Sequence, residues 1–114
     1  MKTLVVGADR EGIRFIVYDG LAILVDQYEL ATATQRNERS LLEGGMQALG
    51  LSWSDIDAYV ALTVPHSHTS VRVIQTLLST SAWYYGRPFQ AMSCDTIQLG
   101  AEVIIDQLRS ALAG

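Results

Sequence analysis

Apolar and polar positions follow two rhythms along the chain. Over the first thirty residues the period is short. Thr3-Leu4-Val5-Val6-Gly7-Ala8 is an apolar run of the kind that forms a central strand. Asp9-Arg10-Glu11-Gly12 reads as a polar turn. The next stretch alternates, with Ile13, Phe15 and Val17 on one side and Arg14, Ile16 and Tyr18 on the other. Asp19-Gly20 is a hairpin signal, because glycine tolerates the positive φ such turns require. A third strand over 21–30 completes an antiparallel meander.

Beyond Ala31 the period lengthens. Thr34 is predicted to cap a helix over 35–49, with Leu42, Met46 and Leu49 at helical spacing and Gly50 as its end. Gly44 and Gly45 lie inside it, at a cost of about 1 kcal/mol each relative to alanine. Such a cost suggests close approach by another backbone, either its own sheet or a partner helix. Residues 51–56 read as a short turn and 57–63 as a fourth strand. The loop Val64-Pro65-His66-Ser67-His68 leads into a helix over 69–85, which Gly86-Arg87-Pro88 breaks. A fifth strand is expected over 89–92. A last helix over 96–112, capped by Ser93 or Asp95, would bury Ile97, Ala101, Ile104, Leu108 and Ala111. The order βββαβαβα predicts an α/β fold: a mixed five-stranded sheet with helices packed on it.

The chain has 114 residues, which suits one domain. An apolar share of 49% against 18% charged argues against disorder. The net charge of −4 argues against a nucleic-acid clamp built on bulk charge, so no direct nucleic-acid contact is expected. No apolar run approaches the ~20 residues of a membrane span. The single cysteine, Cys94, and the lack of a signal peptide fit a cytoplasmic protein.

The helix over 69–85 carries two apolar stripes. Val71, Ile74, Leu78 and Tyr85 form one; Val73, Leu77 and Tyr84, with Trp83 beside them, form the other. A surface helix needs a single stripe to face its core, so the second points to a partner. With its neighbouring helix it defines an expected interface of Leu41, Gly44, Gly45, Ala48, Val73, Leu77, Thr80, Trp83 and Tyr84.

His66-Ser67-His68 is the most suggestive chemistry. An H-x-H pair supplies two metal ligands, whereas structural zinc needs four and catalytic zinc three. Asp9 and Asp57 are possible donors, but nothing local completes the set. Ser67 or Cys94 could act as a nucleophile beside a histidine, although no G-x-S-x-G elbow is present. Cys94 is expected at the start of the last helix, where the dipole would lower its pKa. Arg72, one turn into its helix, would assist any anion held by the loop. No catalytic set, resident metal or cofactor is expected.

Three segments resemble the TsaB (YeaZ) family. Leu51-Ser52-Trp53-Ser54-Asp55-Ile56-Asp57-Ala58 is similar to that family's LSLSDIDAI. The loop from Val64 to Arg72 lines up with GPGSFTGLR: Pro65, Ser67, Thr69 and Arg72 match, while Val64, His66 and Ser70 stand for glycines and His68 for the phenylalanine. Gly86-Arg87-Pro88-Phe89 and Met92-Ser93-Cys94-Asp95-Thr96 resemble GIPLVGVSSLEAL. The resemblance implies a ribonuclease H-like lobe of the actin and sugar kinase superfamily, with residues 1–114 covering the first of two lobes. It implies a non-catalytic partner of the TsaD enzyme in threonylcarbamoyl-adenosine formation on tRNA. Pairing would run through first-lobe helices, as a homodimer or with a TsaD-like or TsaB-like protein. The alternatives are a small-ligand or nucleotide module using Pro65, His66, Ser67, His68, Thr69 and Arg72, and a metal-dependent enzyme centred on His66 and His68. Loss of the loop glycines removes freedom that phosphate cradles use, and one lobe offers half of a nucleotide cleft.

Overall fold

The computed structural model describes residues 1–113. Its elements are β1 (Lys2–Ala8), β2 (Gly12–Asp19), β3 (Ala22–Leu30), α1 (Glu38–Gln47), β4 (Ala58–Thr63), α2 (His68–Tyr85), β5 (Phe89–Ser93) and α3 (Ala101–Ala113), with a 3₁₀ turn at Trp53–Asp55. The expected order βββαβαβα is the observed one. The sheet runs β3-β2-β1-β4-β5. The meander is antiparallel, whereas β1 pairs with β4, and β4 with β5, in parallel.

Both faces of the central strands are covered, which explains the unbroken apolar run in β1. Leu4, Val6 and Ala8 join Ile13, Phe15 and Val17 beneath α1 and α2. Val5, Ile16 and Tyr18 meet Ile104, Ile105 and Leu108 of α3 on the opposite face. The alternation read along β2 thus separates the two cores. At the edge, β3 is mostly exposed or half-buried. The β2–β3 hairpin turns through Gly20 and Leu21, with Gly20 at φ 60°.

Two helix starts differ from expectation. Helix α1 begins at Glu38, not 35, and its cap is Asn37, whose side-chain oxygen accepts from the Ser40 N–H at 3.0 Å, not Thr34. The cause is Arg36. Its guanidinium is drawn inward to the carbonyls of Gly12 and Ala31, so residues 33–35 form a turn instead. Helix α3 begins at Ala101, not 96. The Arg14 guanidinium takes the carbonyls of Ile97 and Leu99, and a helix starting at 96 would need the Ile97 carbonyl for Ala101. Ile97 is still fully buried, and Ala101, Ile104 and Leu108 are buried as expected; Ile105 joins them. The side chain of Ala111 lies outside the described residues. Helix α2 ends at Gly86 in the left-handed conformation, with the Arg87 N–H closing onto the Ala82 carbonyl at 2.8 Å.

Candidate functional site

The 64–72 loop leaves the carboxyl end of β4 and turns directly into α2. Val64 is buried and anchors it. His66 adopts φ 64°, the one non-glycine residue with positive φ among those described. The backbone therefore keeps the left-handed turn that substitution of a glycine was expected to remove. Ser67 precedes the helix, is buried, and makes no capping hydrogen bond.

Beneath the loop lies a clasp that the motifs did not indicate. Arg36 is almost wholly buried and donates to the Ser70 hydroxyl at 2.9 Å and to the carbonyls of Gly12 and Ala31 at 3.0 Å each. Glu38 balances its charge at 3.2 Å. Ser70 in turn donates to the Asp9 carbonyl at 3.2 Å. Ser70, the third glycine replacement, thus fastens α2 to the β1–β2 turn. That turn is itself held by Asp9, whose carboxylate accepts from the N–H groups of Glu11 and Gly12.

Together these segments enclose a cleft of about 480 Å³, lined by Arg10, Thr32–Thr34 and His66–Ser70. Of the residues expected in a ligand loop, it gathers His66, Ser67, His68 and Thr69. Pro65 lines a neighbouring depression with Cys94 and Asp95. Arg72 lies on the outer face of α2 with Val73, Thr76 and Leu77. Arg10 and the 32–34 turn were missed because only the tertiary fold brings the two turns to α2.

The enzymatic alternatives find little geometry. Among the described residues no three His, Cys, Asp or Glu side chains gather as a metal site. Cys94 is not at a helix start, since α3 begins seven residues later. Burial pushes its thiol pKa up, and the charge of Asp95 adds to the effect. This is the reverse of the lowering expected from a helix dipole.

The second region is the outer face of α1 and α2. Ile74, Leu78 and Ala82 are the buried side of α2. Tyr85, expected in that stripe, is exposed. The second stripe faces outward: Trp83 is 82% exposed and Tyr84 72%, with Val73 and Thr80 also exposed and Leu77 half-buried. Tyr84 packs edge-on against Tyr85. A groove of about 360 Å³ between the helices is lined by Arg39, Trp53, Leu77, Thr80, Ser81, Tyr84 and Tyr85. Its floor is stiff. Trp53 stacks on Tyr59 and donates to Glu43, which also accepts from Arg39 at 2.9 Å. Those two bonds, Arg39 foremost, hold the Glu43 carboxyl below the usual range. On α1, Gly44 and Ala48 are exposed and Leu41 is half-buried. Gly45 faces inward: a Cβ there would lie 2.6 Å from Cε2 of Phe15. Its lack of a side chain is explained by the chain's own sheet.

The fold has known counterparts. YeaZ from Pseudomonas aeruginosa superposes with a TM-score of 0.71 at 18% identity, over 82% of this chain and 45% of that one. The fold is YeaZ-like. A second Pseudomonas aeruginosa structure, of an uncharacterized protein with similarity to peptidase YeaZ, gives a TM-score of 0.68 at 20% identity, over 81% of this chain and 43% of that one. RuvC from Thermus thermophilus is more distant, at TM-score 0.52 and 12% identity, over 82% of this chain and 64% of that one. The YeaZ-like sheet is thus a ribonuclease H-like one. The chain spans less than half the length of either YeaZ-like structure. No protein-family model and no curated protein matches the sequence. Among the described residues no helix is long and apolar enough to cross a membrane.

Proposed function

We propose that this chain works by association: a non-catalytic, YeaZ (TsaB)-like scaffold or regulator that pairs through the outer faces of α1 and α2. The observation that carries the reading is the ridge of exposed Val73, Trp83 and Tyr84 with half-buried Leu77 among them, set on a helix whose other side already fills the core. Aromatic side chains of this kind dominate protein interfaces, because they hide much apolar area for little conformational entropy. The partner in this reading is a second copy, or a TsaB-like or TsaD-like protein. The setting is the cytoplasm, in support of threonylcarbamoyl-adenosine formation on tRNA and without direct contact to the nucleic acid. The YeaZ-like fold supports the family setting, and the ridge supports the mode of action.

Sizing with light scattering on the purified chain, alone and mixed with a TsaD-like protein, tests this. Trp83→Ala and Tyr84→Ala are each expected to weaken the complex by about 2 kcal/mol, roughly thirtyfold in Kd, while leaving the fold intact because both side chains are exposed. A chain that stays monomeric at high concentration and binds neither relative would refute the association reading.

A further inference from the structure

We propose that the outer edge of β3 pairs antiparallel with the same edge of a second copy, joining two five-stranded sheets into one. Strand β3 stands at the end of the strand order, and no strand lies beyond it among the described residues. Its peptide groups have a fixed phase. The Ala31 N–H donates to the Glu11 carbonyl at 3.0 Å, and the β2–β3 register carries that bonded alternation to Glu29, Gln27 and Val25. Asp26, Tyr28 and Leu30 therefore turn their N–H and C=O groups away from β2. A sheet edge in this state is a template for another strand. The usual protections are weak here. Strand β3 contains no lysine, arginine or proline, Leu24 and Leu30 are exposed, and its bulge at Leu24 leaves 25–30 regular. The edge shares no residue with the α1–α2 ridge, so this inference goes beyond the association reading.

The occupant is a second copy because the outward row complements itself. Bonded pairs can form only between outward-turned residues, which leaves few registers. Centred on Gln27, Asp26 faces Tyr28 of the second copy and Leu24 faces Leu30, each twice by symmetry. The Asp26–Tyr28 pairs exchange main-chain hydrogen bonds, and leucine meets leucine at both ends. The other centres are worse. Asp26 at the axis sets carboxylate against carboxylate. Tyr28 at the axis shortens the overlap to 26–30, and Val25 runs both strands through the bulge. Charge agrees with the Gln27 register. Arg14 holds Asp26 at 2.8 Å, so no bare carboxylate stands at the seam. The Gln27 amide donates to Glu29 at 2.8 Å. The two Glu29 residues of the pair lie roughly 14 Å apart, beyond the ~10 Å screening length of 0.1 M salt.

Disulfide trapping on the full chain carrying Cys94→Ser tests the pairing. Gln27 sits at the axis as a non-bonded pair, where Cα atoms are about 4.5 Å apart and within reach of a disulfide. In a glutathione redox buffer Gln27→Cys is expected to form a covalent dimer at least about tenfold faster than Glu29→Cys, whose two copies are out of reach. Adding Trp83→Ala and Tyr84→Ala, which removes the ridge, should leave that rate within about twofold. Sedimentation equilibrium of the ridge-less chain, with Gln27 and Cys94 intact, should give a dimer with Kd at or below about 100 μM. Leu30→Pro should raise that Kd at least about tenfold, because it removes a donor at the seam. Its fold should survive, since Leu30 is 81% exposed and its N–H takes no part in the β2 ladder. Equal trapping rates at 27 and 29 would overturn the pairing. Loss of trapping on removal of the ridge would overturn it too, by assigning the contact to α2. A ridge-less chain still monomeric at about 1 mM would overturn the second copy as occupant and leave the edge to a strand of another protein.

Discussion

Gly44 and Gly45 are neighbours in sequence, yet replacing each by alanine is expected to move stability in opposite directions. An alanine in a helix interior is favoured over glycine by about 1 kcal/mol, because the unfolded chain has less freedom to lose. At Gly44 that gain is unopposed: an added Cβ meets nothing within 4 Å. Gly44→Ala should therefore raise stability by about 0.5–1 kcal/mol, or a Tm increase of roughly 2–4 °C for a chain of this size. At Gly45 the same gain meets a collision. The Cβ would sit 2.6 Å from Cε2 and 2.9 Å from Cε1 of Phe15, with Cζ nearer still. Phe15 is only 2% exposed and is wedged among Leu42, Met46 and the central strands, so its ring has nowhere to swing. Overpacking of this severity costs about 1–3 kcal/mol or more. The net expectation for Gly45→Ala is a loss of about 1–2 kcal/mol, and a Tm decrease of roughly 4–8 °C. Urea denaturation followed by circular dichroism measures both. It should be run at two protein concentrations, because the proposed association would add a concentration-dependent term and the packing term would not. Shifts of the same sign at low concentration would refute the division of α1 into an inward Gly45 and an outward Gly44.

Other expectations follow from the loop and the core. Arg36→Ala should destabilise by about 3 kcal/mol in thermal denaturation, since it strands Glu38 and several buried acceptors, and Arg36→Lys should recover little because an ammonium cannot span the fork. His66→Gly should stabilise by about 0.5–1 kcal/mol, the left-handed strain relieved less the added freedom of the unfolded glycine, as read by urea midpoint. Burial raises the Tyr59 hydroxyl to about 12, so ultraviolet titration should show a late-ionising component that Tyr59→Phe removes. The folded chain holds that proton more tightly than the unfolded one. Its stabilising contribution is thus complete below the ordinary tyrosine range near 10 and is lost as pH rises towards about 12.

Much of the architecture was legible without coordinates, because local rules act over a few residues. The short period of the meander, the change of period after Ala31 and the breakers Gly20, Gly50 and Gly86 sufficed for the order of elements. The opposed faces of β2 were equally visible, since side chains alternate about a strand whatever surrounds it. The second stripe of α2 was plain too, and it does face outward. What stayed hidden depended on groups far apart in the chain. Two arginines set where α1 and α3 begin by taking carbonyls from distant segments, and no propensity scale weighs an acceptor some eighty residues away. Gly44 and Gly45 are identical letters, separated only by which of them faces Phe15. The cleft is the strongest case. Its motif half, residues 66–69, stands in one run of sequence, while Arg10 and the 32–34 turn complete it only after the hairpin folds and Arg36 and Ser70 fasten it to α2. Local periodicity thus decides which elements form, and long-range pairing of buried polar groups decides where they end and what they enclose.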